Sequence, residues 1–578
     1  MEDCVDVVEI LSNLLVSGKY KEVLAIPYNE KYKQNFKDNC CDIISVIIGK
    51  LDNDTAVTKP SLQTTSEELL SIIVEIANPE EILLEFIEQI EVSKNEAQFL
   101  TLLSPIQQLL KRLTSKRGRS LEWCLNAIST YIETIPISNY NLEGKEQLLL
   151  DNDSNVRRLM KVYSNLSPFY APFVDELNLN IVKKETTKEI IVAFLISLLG
   201  KPLIYIDLDP ETGCKSEARA CCQQILNDIC SLEKNILKFL VYVEYHNENR
   251  KINSGESAAE ISPYDQNEKI NMTTLAGLFY SVLSGHFEIK HYAVPQVYSS
   301  EYIVQTVFRC VIHLLNFTEY GPLLKAVQLL KSLLSRLSYP VSDALLSSPV
   351  HFDLSKNLVT VAIYGNYETI RKECVSLIGC HINKFDFKGR CLIIKYIMDT
   401  ANHSGMIAYV ISLYKNSINE VFQSNSNFPE CFLGPKFESM LKKICYLPHG
   451  AESDLMELAD QIITSLNFLR YMILRDVDNI TGIRECFTFI ENNYLKDLRT
   501  GLNLSKAHYE VKLKDVEEKK DTEKNHIPIS VNVGGNDLTN MPIEVKKEVL
   551  ISALNAFHLM EGLIARLVEC MNSNKQCV

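Results

Sequence analysis

The chain has no uninterrupted run of 18 apolar residues, so no membrane insertion is expected. Met1-Glu2-Asp3-Cys4-Val5-Asp6 has an acidic start without the basic n-region of a signal peptide. Both readings predict a cytoplasmic protein with nuclear access open to it. Glycine and proline are sparse, at 21 and 19 in 578 residues, and there is a single tryptophan. No G-x-x-x-x-G-K-[ST] loop, G-x-G-x-x-G fingerprint, G-x-S-x-G elbow or H-E-x-x-H pair is present, so the chemistry these motifs carry is excluded. No cofactor is implied, and no residue is assigned a catalytic or metal-ligating role. Basic charge is in deficit, with 59 Lys and Arg against 73 Asp and Glu for a net charge of -14. That balance argues against wholesale nucleic-acid binding and suits a basic protein partner.

Seventeen cysteines form an odd set without a spacing framework, which reads as reduced, mostly buried thiols. Cys214, Cys221, Cys222 and Cys230 cluster, as do Cys374, Cys380 and His381. Neither group has paired C-x-x-C spacing, so both read as helical core thiols rather than zinc sites. Asp207-Leu208-Asp209-Pro210-Glu211 begins like a calcium loop. Thr212 at position six and Ala218 at position twelve reject that reading, since the loop needs Gly and Glu there.

What is abundant is helix signal. Asn78 suits an N-cap, Pro79 the first helical position, and Glu80 and Glu81 the positive end of the helix dipole. Leu83, Phe86, Ile87 and Ile90 then recur on one face. From Ala451 to Arg475, Leu455, Ala459, Ile462, Leu466, Leu469 and Ile473 make a second stripe. Many such helices joined by short Asn, Pro, Gly or Ser breaks predict an all-α, HEAT-like helical-repeat solenoid with a C-terminal helical cap.

The expected organisation is N-terminal repeats over 1–246, a flexible loop over 247–271, middle repeats over 272–390 and a C-terminal helical region over 391–578. Within the last, residues 512–540 read as a flexible insert in which the charge run Lys514 to Asp521 extends a helix. Ile529-Ser530-Val531-Asn532-Val533 is a candidate short strand. The final helix, from near Pro542 to about Met571, carries an apolar face of roughly 200° at 100° per residue. Such a face needs two neighbours, or one neighbour and a partner. Lys111, Arg112, Lys116, Arg117 and Arg119 form the one basic patch. A helix C-terminus and solvated turn explain it, with a nuclear-import or RNA-contact element as the other reading.

Three strings in the last third stand outside these patterns. They are Asn402-His403-Ser404-Gly405, the stretch Leu447-Pro448-His449-Gly450-Ala451-Glu452-Ser453-Asp454-Leu455, and Gly501-Leu502-Asn503-Leu504-Ser505-Lys506-Ala507-His508-Tyr509-Glu510. Ser465-Leu466-Asn467-Phe468-Leu469-Arg470-Tyr471 and Asn540-Met541-Pro542 leading into Val549 to Leu554 agree with them, and Asn78 to Leu84 agrees more weakly. Together these residues resemble the glomulin family of helical-repeat proteins, densely from about 390 to 570 and thinly before that.

The resemblance implies binding to the RING-box subunit of cullin-RING ubiquitin ligases, with its cullin. The C-terminal part would cover the surface where a ubiquitin-conjugating enzyme docks. It also implies an immunophilin or growth-factor-receptor partner, for which no residue here marks a site. The candidate partner-binding residues are Leu504, Lys506, His508, Tyr509, Asn402 and His403. With Leu504 and Ala507 toward the core, Lys506, His508 and Tyr509 would crowd the rest of one turn, and Tyr and His suit interfaces. A scaffold in transport or membrane trafficking is the rival reading.

Overall fold

Asn78 accepts a hydrogen bond from the Glu80 amide and opens the helix Pro79–Glu91, as its sequence predicts. That helix buries Ile82, Leu83, Phe86 and Ile90. Its design recurs throughout the computed structural model. The structure describes residues 6–113, 117–137, 142–179, 185–206, 216–252, 270–424, 427–517, 532–533, 536–537 and 543–575. The chain divides into two compact units, Met1–Arg336 and Leu337–Val578. The division falls inside the stretch expected as middle repeats. In each unit consecutive helices pack in pairs, giving the all-α helical-repeat solenoid.

In the first unit, Pro79–Glu91 packs on Glu96–Arg112 and Arg117–Thr134, and Ser154–Asn178 packs on Glu96–Arg112 and Glu217–Leu232. Ser154–Asn178 contains Pro168 and Pro172. Pro172 has no N–H for the Pro168 carbonyl. The Gln107 side-chain amide from the neighbouring helix supplies the missing donor, at 2.9 Å to Pro168 O and 2.7 Å to Phe169 O. Met272–Leu283 is buried on every side from Thr274 onward, as an all-round apolar helix must be.

Of the stretch 247–271 expected as a flexible loop, the residues up to Ile252 are helical, within Leu240–Ile252. Residues 253–269 lie outside the described residues, as do the rejected calcium loop and Cys214. Of the basic patch, Lys111 and Arg112 end one helix as expected. Arg117 pairs with Glu176 at 2.9 Å, and the Arg119 guanidinium lies 5.2 Å from the Trp123 ring centroid. Lys116 is outside the described residues.

In the second unit the order is Val350–Tyr364, Glu368–Lys384, Phe387–Thr400, Ser404–Ser424, Gly434–Ile444, Ala459–Arg475, Lys496–Glu517 and Ile543–Lys575. The stripe expected from Ala451 is helical only from Ala459. Before it, Gly450–Glu452 is a 3-10 turn and Leu455 lies in an irregular turn, although Leu455 is fully buried. The Asp454 carboxylate explains the delay, because it accepts from the Met456 and Glu457 amides and closes a separate turn.

Two buried histidines brace the first helix pair. His351 Nδ1 and His381 Nε2 are 3.1 Å apart with parallel rings, Phe385 stands edge-on to both, and the Ser355 hydroxyl reaches His381 Nδ1 at 3.4 Å. Among the described residues the cysteines are free thiols, and Cys124, Cys222, Cys230 and Cys374 are buried as predicted, whereas Cys221 is half-buried and Cys380 exposed. Among the described residues no group of three or more His, Cys, Asp and Glu could hold a metal.

The last helix spans Ile543–Lys575. By length and composition its Glu544–Ser573 stretch is apolar enough to cross a bilayer. Its Leu550, Ala553, Phe557, Met560, Ile564 and Leu567 are buried, and two helices, Ala459–Arg475 and Lys496–Glu517, pack against it. The wide face therefore has two intramolecular neighbours, which removes the width as a pointer to a docked partner. The charge run extends Lys496–Glu517 as expected, to Glu517. The residues after it up to 531 lie outside the described residues. Of the candidate strand, Asn532–Val533 pairs antiparallel with Asn536–Asp537.

Candidate partner-binding site

The three unexplained strings are joined through a common centre. Ser404, which opens the Ser404–Ser424 helix, accepts a hydrogen bond at 3.0 Å from the Gln461 amide in the first turn of Ala459–Arg475. His403 caps its own helix through Nδ1, which accepts from the Met406 amide at 3.3 Å. Asn402 and His403 remain exposed beside this junction. The second string is the turn its Pro448-His449-Gly450 predicts. Ser453 Oγ bridges it, accepting from the His449 amide at 3.0 Å and donating to Gly450 O at 2.8 Å.

The third string docks on the second at Gly501. A Cβ there would stand 2.8 Å from the Ala451 carbonyl oxygen and 3.3 Å from a Leu455 methyl. Glycine lets the Lys496–Glu517 backbone lie directly on the Gly450–Glu452 turn. This contact fixes how the helix is rotated, and the rotation differs from the one expected. Leu504 and Ala507 face outward, with Leu504 59% exposed, and the core side holds Leu498, Gly501, Leu502 and Tyr509.

Tyr509 is only 8% exposed, and its ring meets Phe557 edge-on at 5.3 Å between centroids. Burial, with the Asp454 charge second, pushes its hydroxyl up to about 12. Lys506 reaches both carboxylate oxygens of Glu561 on the last helix, at 3.0 and 2.9 Å. That pairing holds the Glu561 carboxyl below its usual range. Lys506 and Tyr509 therefore brace the cap, and neither is a free handle. His508 is exposed, and partial burial followed by the Lys512 charge lowers its pKa. The Lys512 ammonium lies 5.7 Å from the Tyr509 ring centroid.

The outward face is legible only once this rotation is known. Leu504, Ala507, His508 and Val511 stand at i, i+3, i+4 and i+7, and all four are exposed, Val511 at 58%. The sequence reading missed Val511, and the seven-residue interval from Leu504 was the signal that could have found it. The surface carries an apolar stripe with one imidazole, and a stripe of this kind suits binding to a partner.

A family model described as "Uncharacterised protein family, YAP/Alf4/glomulin" matches residues 41–273 and 281–550. The chain belongs to this family. It is similar to glomulin of Homo sapiens, with 28% identity over 568 residues that cover 96% of this chain and 91% of the human protein. Glomulin of Mus musculus is similar at 29% identity over 567 residues, with the same shares covered. The glomulin likeness thus extends well before residue 390, where the sequence alone showed little of it. The strings that first suggested the family are those that meet around Ala451, Gln461 and Gly501.

Proposed function

We propose that the second unit binds the RING-box subunit of cullin-RING ubiquitin ligases and inhibits ubiquitin transfer by covering the surface where a conjugating enzyme docks. The observation that carries this reading is the junction of the three glomulin-like strings beside the exposed Leu504–Ala507–His508–Val511 stripe. An exposed apolar stripe on a rigid helix suits a protein partner, and aromatic or aliphatic anchors at its centre would carry most of the affinity. The chain acts by occupancy, as a scaffold without chemistry of its own. The cullin enters as the RING-box subunit's companion. The protein works in the cytoplasm, with access to the nucleus.

Titration of a reconstituted cullin ligase tests the proposal. Transfer slows as the full chain is added, and excess conjugating enzyme restores it. Inhibition that persists unchanged at high conjugating-enzyme concentration refutes steric competition. Capture of the RING-box subunit by residues 1–380 as well as by the full chain refutes the placement.

A further inference from the structure

In the first unit, residues of the helices Ser154–Asn178, Glu185–Leu198 and Glu217–Leu232 line a cleft of about 220 Å³. Leu166, Leu198 and Ile225 form its aliphatic walls, and Tyr163 and Tyr170 add their rings. The two tyrosines stand seven residues apart, so one helix face presents both. Their hydroxyls are committed to neighbours. Tyr163 donates to the Leu198 carbonyl at 2.8 Å, and Tyr170 donates to Asp228 Oδ2 at 3.0 Å. What the rings offer the cleft is carbon. Phe194 meets the Tyr170 ring edge-on, 6.4 Å between centroids, and holds it in place. Polar groups of the lining are engaged as well. Gln224 Nε2 donates to both Asp228 oxygens at 3.1 and 3.2 Å, and Ser164 Oγ donates to the Lys161 carbonyl at 3.0 Å. Cys221, half-buried, adds a thiol to the wall.

We propose that this cleft binds a small neutral aromatic group, carried by a free molecule or by the side chain of a peptide. Side chains pack protein interiors to leave few voids larger than a water, so apolar space of this size is space for a ligand. Its size sets the ligand's. An apolar cavity of about 150 Å³ holds benzene, and drug-sized ligands take about 300 Å³ or more. The cleft lies between these, which fits one ring with a few further atoms. Its walls set the chemistry. Tyrosine rings and a sulfur both favour an aromatic partner beyond what area burial alone supplies. A charged ligand is disfavoured, because no lining residue carries a charge to pair with it. The site belongs to the first unit and is independent of the RING-box reading, which rests on the second.

Cys221 provides the readout. Benzyl alcohol, cyclohexylmethanol and N-acetylphenylalanine amide are added separately to the full chain, and alkylation of each cysteine by iodoacetamide is followed by peptide mass. Benzyl alcohol should slow alkylation of Cys221 by a factor of 1 + [ligand]/Kd, about tenfold at about ten times Kd. The exposed Cys41 and Cys380 should react at unchanged rates. Cyclohexylmethanol has the same skeleton without the π-system and should bind about two- to tenfold more weakly. Protection by the amide as well as by benzyl alcohol supports a peptide side chain as the source of the ring, and protection by benzyl alcohol alone supports a free molecule. Cys221→Leu fills the cleft, and it should abolish the heat of benzyl alcohol binding in calorimetry while raising the melting temperature. Three results overturn the proposal: no protection of Cys221 by benzyl alcohol, equal protection by cyclohexylmethanol, or undiminished binding to a folded Cys221→Leu protein. The first two come from the unsubstituted chain and decide the matter even if the variant does not fold.

Discussion

Gly501→Ala and Gly562→Ala apply one methyl group to two helices that pack together, with opposite expected signs. Alanine in place of glycine favours a helix interior by about 1 kcal/mol. At Gly562 nothing stands within 4 Å of the added carbon, so the gain is kept. At Gly501 the carbon meets the Ala451 carbonyl at 2.8 Å, and that carbonyl belongs to a turn pinned by Ser453 at both His449 and Gly450. Recoil there shifts backbone rather than a side-chain tip, and overpacking of this kind costs about 1–3 kcal/mol. The net expectation is a loss of up to about 2 kcal/mol for Gly501→Ala and a gain of about 0.5–1 kcal/mol for Gly562→Ala. The only tryptophan, Trp123, lies in the first unit, so its fluorescence reports the wrong transition. Hydrogen exchange of the amides in Ala459–Arg475 and Lys496–Glu517 under increasing urea reads the right one. Stabilisation of Gly501→Ala by as much as Gly562→Ala would refute the close-approach reasoning.

Leu504→Asp combined with Val511→Asp should weaken RING-box binding at least about tenfold while unfolding stays within about 0.5 kcal/mol, measured by titration calorimetry and urea denaturation. Tyr509→Ala should cost about 3 kcal/mol of stability through the lost contact with Phe557, whereas Lys506→Ala should cost less than about 1 kcal/mol. Denaturation of both variants checks the ranking. Burial lowers His351 to about 4 and His381 to about 3, the latter with help from His351, from an ordinary 6.5. Unfolding raises those pKa values, so stability is complete above about pH 6.5 and falls toward pH 4 and then 3, by up to about 1.4 kcal/mol per pH unit for each ring. His381→Asn should flatten that slope between about pH 6.5 and 5, above the range where ordinary carboxylates titrate, and urea midpoints across that interval measure it.

Local signals were read correctly where the cause is local. Asn78, Pro79 and Glu80 start a helix because cap, ring and dipole act within one turn, and they do so here. The width of the last helix's apolar face was also visible, since it depends on periodicity alone. Its second neighbour was not, because that depends on where Ala459–Arg475 and Lys496–Glu517 come to lie. The same limit governed the site. Leu504 and Tyr509 exchanged their expected faces because a carbonyl fifty residues earlier, at Ala451, sets the rotation of their helix. A pairing such as His351 with His381 leaves no trace in spacing, since it joins side chains from separate elements.

The seating of Ile543–Lys575 on both Ala459–Arg475 and Lys496–Glu517 has a consequence for biosynthesis. During translation the two earlier helices emerge first, each with a surface shaped to receive a strip of chain that does not yet exist. Until it is made, that surface is open to chaperones and to other nascent chains. A premature stop codon after residue 517 would leave this state permanent. The truncated product would keep the residues of the docking stripe and yet meet cellular quality control as an unfinished protein.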